Sequence, residues 1–134
     1  MAAVLVAEDE WVIALTYEDA LGAAGHEVVS AADGRAALTR AAERRFDLVL
    51  TDYMMPRLDG LGFLRELRRL PGYAAVPAIL ATAIPPANLP PDAEGLYQGV
   101  LAKPFRDEAL VGLVAGLLRG GPSKAPPDSG ASSS

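Results

Sequence analysis

Five short runs rich in Val, Ile and Leu are separated by segments whose apolar residues recur at helical spacing, and this alternation restricts the fold more than any other feature of the chain. Residues 3–7, 27–31, 47–51, 76–82 and 99–102 are predicted strands. They are nearly continuous in apolar residues, as strands covered on both faces must be. Between them, Ile13, Tyr17, Ala20, Leu21 and Ala24 share one face of a first helix that Gly25 ends. Asp33 is placed to cap a second helix reaching Arg44. Leu61, Leu64, Leu67 and Leu70 stripe a third, stopped by Pro71 and Gly72. Residues 107–118 form the last, with Leu110, Leu113, Val114 and Leu117 turned inward. The expected fold class is α/β, a doubly wound five-stranded parallel sheet.

One connection breaks the pattern. Pro85, Pro86, Pro90 and Pro91 lie between the fourth and fifth strands, and an interior proline costs a helix about 3 kcal/mol. That segment is predicted to be irregular, with one turn near residues 92–97.

Composition removes several function classes. The 134 residues include no cysteine, which excludes a disulfide scaffold, a thiolate metal site and a Cys nucleophile. Twelve Lys+Arg against 17 Asp+Glu give a net charge of −5, and without a basic patch no nucleic-acid surface is expected. The N-terminal apolar run is short and meets Glu8, Asp9 and Glu10, so it reads as neither signal peptide nor membrane span. A cytoplasmic protein without a membrane partner is expected. From residue 120 the chain is rich in Gly, Pro and Ser with no large apolar side chain, predicting a disordered tail after a domain over 1–119.

Ligands of open doubly wound sheets sit outside the carboxyl ends of the strands. Here those ends carry Glu8 and Asp9, Asp52, Thr82, and Lys103 with Pro104. Gathered carboxylates repel one another, so the set makes chemical sense around a hard cation. Mg²⁺, with Asp9 and Asp52 as direct ligands, fits that description. Lys103 is the only lysine before Lys124, the remaining ten basic residues being arginines, and its ammonium is a compact point charge. Taken singly, Asp9 reads as a helix cap, Asp52 as a turn former, Thr82 as a strand residue and Lys103 as a solvated charge. Their arrival together at four strand ends points to chemistry.

Glu8-Asp9, the run Thr51-Asp52-Tyr53-Met54-Met55-Pro56-Arg57-Leu58-Asp59-Gly60, Ala81-Thr82-Ala83 and Lys103-Pro104-Phe105, in this order, resemble the signature of the receiver domain of two-component response regulators. The resemblance spans residues 3–118. It implies a flavodoxin-like strand order 2-1-3-4-5. It also implies Asp52 as the phosphoacceptor, forming an acyl phosphate. Asp9 would ligate Mg²⁺ directly, Glu8 through water, and Met54 through its backbone carbonyl. Thr82 and Lys103 would each contact a phosphoryl oxygen, so that catalysis is positioning and charge neutralisation. Pro104 would hold the Lys103 peptide, cis or trans. The implied phosphodonor is a histidine kinase or phosphotransfer protein, and the output a protein effector contacted in trans by a switch that is not itself an enzyme. A homodimer is the further implied partner, through a face that the prolines alter.

The chain departs from that pattern in places. Val100 stands where receivers carry an aromatic three residues before the Lys, so the usual coupling of threonine to a swinging ring has no ring. The prolines and Leu80-Ala81-Thr82 also resemble a subgroup of mostly stand-alone receivers with a degraded fourth helix, but Ala83 and Ile84 replace its Gly and Tyr. A change of order or position in residues 83–98 is the expected carrier of a signal. In receivers the residues two after the acceptor and two after the Thr flank the attacking water; here the resemblance puts Met54 and Ile84 there, with nothing polar to orient water, which implies slow loss of the phosphoryl group. Trp11, Tyr17, Phe46 and Phe63 are expected to be packing residues, Tyr73 a loop residue, and His26 to have no catalytic role.

Three other readings compete. A haloacid-dehalogenase-type phosphatase needs a second Asp two residues after the nucleophile, where Met54 stands. A nucleotide or flavin site needs a glycine-rich cradle after the first strand, where Glu8, Asp9 and Glu10 stand. A receiver-like docking module without phosphorylation would bind Mg²⁺ yet take no phosphoryl group.

Overall fold

The computed structural model describes residues 2–120. The tail expected from residue 120 falls outside them, except that Gly120 itself closes the last helix. Five strands, β1 (Ala3–Ala7), β2 (Glu27–Ala31), β3 (Leu48–Asp52), β4 (Ala78–Thr82) and β5 (Gly99–Ala102), form one all-parallel sheet in the order β2-β1-β3-β4-β5. Four helices cover it: α1 (Trp11–Ala23), α2 (Gly34–Glu43), α3 (Gly60–Leu67) and α4 (Asp107–Gly120). Among the described residues no helix is long and apolar enough to cross a membrane.

The period of two along each strand divides the core into layers. Val4, Val6, Leu48, Leu50, Ile79, Ala81 and Leu101 face α1 and α4, meeting Tyr17, Leu21, Leu110 and Val114. Leu5, Ala7, Val49 and Ala78 face α2 and α3, meeting Ala37, Ala41, Phe63 and Leu64. Both faces being covered, the strands need no polar alternation.

Helix ends follow local chemistry. Asp33 accepts the Ala36 N–H at 2.8 Å to start α2, and Asp59 accepts the Gly62 N–H at 2.8 Å to start α3. Gly25, at φ 96°, turns the chain out of α1 into β2. Helix α3 ends at Leu67 rather than continuing to Leu70, and Arg68, just past it, turns its guanidinium inward onto the carbonyls of Tyr73, Val76 and Leu96. Between β4 and β5 the prolines leave two 3₁₀ turns, Pro86–Asn88 and Pro91–Leu96, where one turn is predicted.

One aromatic expectation needs correction. Trp11 does not pack into the core but is 72% exposed at the start of α1, where the helix leaves the acidic edge of the sheet. Tyr73 lies in a loop as expected, and it is buried there, its hydroxyl accepting from Phe46 N and donating to the Arg44 carbonyl. Tyr17, Phe46 and Phe63 are buried as expected.

Candidate functional site

Parity brings the chemistry to one side of the sheet. Glu8 continues the Val4–Val6 face of β1, Asp52 the Leu48–Leu50 face of β3, and Lys103 the Leu101 face of β5, all toward the α1 layer. There Lys103 Nζ forms an ion pair with Asp52 and lies 3.8 Å from Glu8 Oε1. Glu8, Asp9 and Asp52 each offer a carboxylate oxygen within 4.8 Å of the other two. Glu8 and Asp52 are buried, whereas Asp9 is exposed at the rim.

The cluster is short of positive charge. Glu8 Oε2 accepts from the Glu10 N–H at 3.1 Å, while buried Glu8 Oε1 has no hydrogen-bond partner. Burial lifts the Glu8 carboxyl to about 7; the Glu10 N–H opposes the rise and the Asp52 charge adds to it. Burial also raises Asp52, against the lowering effect of its Lys103 partner. Three oxygen donors with one buried and unpartnered match what a hard divalent cation takes.

The remaining predicted residues surround this centre. The Thr82 carbonyl accepts the Lys103 N–H at 3.0 Å, tying the ends of β4 and β5 together. Its buried hydroxyl accepts from the Ile84 N–H at 3.0 Å and makes no bond to the Asp52 or Lys103 side chain. Met54 lies in the loop after β3 with its side chain 68% exposed. The Lys103–Pro104 peptide is cis.

Supporting residues went unmarked in the sequence. A Cβ on Gly60 would collide with the Asp52 carbonyl oxygen and stand 3.0 Å from Tyr53 Cα. Gly60 N–H also donates to Tyr53 O at 2.7 Å, so α3 begins hard against the backbone of Asp52 and Tyr53. The Asp-Gly pair that caps α3 was the available signal. Arg57 takes φ 69° in the loop after β3, and its guanidinium reaches Asp33 at 3.1 Å, linking that loop to the cap of α2. Arg68 follows α3 directly, seven residues after Leu61, a spacing that continues the apolar face of the helix and marks it as inward-facing.

The model of the response regulator receiver domain matches residues 4–115. The chain belongs to this family. A probable chemotaxis protein CheY of Rhizobium etli is 35% identical, the match covering 87% of this receiver and 94% of that protein. A probable transcriptional regulator of Cyanophora paradoxa is 38% identical over 87% of the chain but only 48% of its own length. The receiver thus spans about half the length of several curated relatives it matches. Among solved structures, chemotaxis protein CheY4 of Vibrio cholerae superposes with a TM-score of 0.78 at 32% identity, covering 87% of this chain and 98% of that one. The receiver domain of a Pseudomonas aeruginosa sensor histidine kinase, with a magnesium ion coordinated in its active-site cleft, gives 0.77 at 31% identity, covering 88% and 98%.

Proposed function

We propose that this receiver is the phosphoacceptor of a two-component phosphorelay, phosphorylated on Asp52 in a Mg²⁺-dependent reaction. The observation that supports it most directly is Asp52 itself: a buried carboxylate in the Glu8–Asp9 acidic cluster and paired with Lys103. Asp9 and Asp52 would hold Mg²⁺ directly, with the Met54 carbonyl, and Glu8 through water. When bound, the ion neutralises charge on the transferring oxygens.

A carboxylate oxygen of Asp52 attacks phosphorus in line with the leaving group. The new O–P bond forms as the bond to the donor's imidazole nitrogen breaks, leaving the histidine free. Lys103, paired with Asp52 at rest, passes to a phosphoryl oxygen, and the Thr82 hydroxyl takes another in exchange for the Ile84 N–H. The donor is a histidine kinase or phosphotransfer protein, the reader a protein effector contacted in trans, and the compartment the cytoplasm. A homodimer would use β5 and α4 beside the two 3₁₀ turns.

Intact mass after incubation with acetyl phosphate tests the reading, comparing the protein with and without Mg²⁺ and with Asp52→Asn. One phosphoryl group gained only with Mg²⁺ and lost in Asp52→Asn is expected. No adduct from acetyl phosphate or from a panel of phosphorylated kinases, with Mg²⁺ still bound, would replace this reading with that of a docking module.

A further inference from the structure

Among the described residues three buried side-chain polar atoms have no hydrogen-bond partner: Glu8 Oε1, the Tyr17 hydroxyl and Arg68 Nε. Arg68 is otherwise well served, its two terminal nitrogens making four bonds. The other two belong to residues on the same side of the sheet. Tyr17 is fully buried on α1, in the same layer as Val4 and Val6, the face of β1 that Glu8 extends.

The ring of Tyr17 is fixed by a stack on Phe105, with centroids 5.3 Å apart and planes 11° from parallel. Phe105 lies two residues beyond Lys103, so the loop that delivers the ammonium also clamps the ring. Lys103 Nζ in turn lies 3.8 Å from Glu8 Oε1, so one loop contacts both Tyr17 and Glu8. Burial, then the charges of Glu8 and Asp52, push the hydroxyl well above its ordinary range. A phenylalanine would make the same stack without burying an unbonded hydroxyl, so packing alone does not account for the oxygen.

We infer that Tyr17 is a positioning residue for the cation site: its hydroxyl donates to the Glu8 carboxylate, directly or across one water, when the site holds a divalent cation. The proton stays on Tyr17, and the bond satisfies both unpartnered atoms at once. The inference rests on the reading of Glu8, Asp9 and Asp52 as a cation site. Groups that orient metal ligands from behind typically contribute about 10- to 100-fold in affinity. Because Glu8 acts through water, the lower end applies.

Mg²⁺ titration of the full chain tests this, read by calorimetry and by Trp11, the one tryptophan, which lines a cleft with Glu8 and Asp9. Tyr17→Phe is expected to bind Mg²⁺ about 10-fold more weakly, with a metal-free thermal midpoint equal to or above that of the wild type. The Mg²⁺-induced near-ultraviolet tyrosine difference spectrum of the wild type should vanish in the variant. In a Glu8→Gln background the same substitution should change affinity by no more than about 2-fold, the charged acceptor being gone. Wild-type-like Mg²⁺ affinity in Tyr17→Phe overturns the inference, as does a loss of affinity matched by an equal loss in the Glu8→Gln background. If the wild type itself binds no Mg²⁺, the cation-site reading falls and this inference with it.

Discussion

Lys103 and Asp52 come from strands that are not neighbours, β5 and β3, yet their side chains meet in an ion pair at the carboxyl edge of the sheet. Among the described residues Lys103 is the one cationic partner of Asp52, and it opposes the upward push that burial gives the carboxyl. Lys103→Met should slow phosphorylation by acetyl phosphate about 100-fold while leaving Mg²⁺ binding in place, because a preorganised charge on the transferring oxygens is removed. A time course of intact mass measures it. An unchanged rate would remove Lys103 from the reaction.

Gly60 is a steric necessity. Its absent Cβ is what lets α3 start against the Asp52 carbonyl. Since the obstacle is backbone, it cannot rotate away, and Gly60→Ala should destabilise the protein by about 3 kcal/mol in chemical denaturation. Phosphorylation of the folded fraction should also slow, because Asp52 must shift to make room.

Arg68 holds the proline-rich connection in place. Its guanidinium donates to the carbonyls of Tyr73 at 2.9 Å, Val76 at 2.6 Å and Leu96 at 2.8 Å, and to Gln98 Oε1 at 3.1 Å. Gln98 Oε1 in turn accepts the Ala78 N–H at the start of β4. Arg68→Met should cost about 3 kcal/mol by stranding buried acceptors. Hydrogen exchange should rise first in residues 84–98, and uniform exchange across the chain would contradict this.

Stability of the metal-free protein should fall as pH rises. Folding lifts Glu8 from 4.5 to about 7, so the folded state binds its proton more tightly than the unfolded chain. That contribution is fully present below about pH 4.5 and is lost as pH passes through about 7, on the order of 2–3 kcal/mol. Asp52 is raised too and acts in the same direction. Thermal midpoints between about pH 5 and about pH 8 measure the slope, and Glu8→Gln should flatten it. Saturating Mg²⁺ should restore the loss at the alkaline end.

The acyl phosphate should persist. On the proposed reading Met54 and Ile84, two residues after Asp52 and Thr82, would flank the attacking water, and neither side chain carries a polar group to orient it. Met54→Asn should speed hydrolysis about 10-fold, followed by decay of the phosphorylated mass. A wild-type half-life of seconds would contradict the expectation.

The strands and helices were readable because each depends on local spacing. Val4 and Val6 announce a strand face, Asp33 and Asp59 announce caps, and Pro85 to Pro91 announce the missing helix. Glu8, Asp9, Asp52, Thr82 and Lys103 were readable for a related reason: in a parallel sheet the strand ends lie along one edge whatever the core details. Trp11 was misread because helical position and hydrophobicity say nothing about whether another layer lies opposite. Its place at the start of α1 leaves it uncovered.

What the sequence determined by itself was the order of elements and the set of groups delivered to the edge, both consequences of period and chain direction. Only the tertiary structure decided which of those groups touch and which atoms are left without partners. The Lys103–Asp52 pair, the closeness of Gly60 to the Asp52 carbonyl, the inward turn of Arg68 and the stack of Tyr17 on Phe105 each join residues from separate elements. Such contacts depend on how layers settle against one another, with tolerances below the width of a methyl group, and no local pattern along the chain encodes that distance.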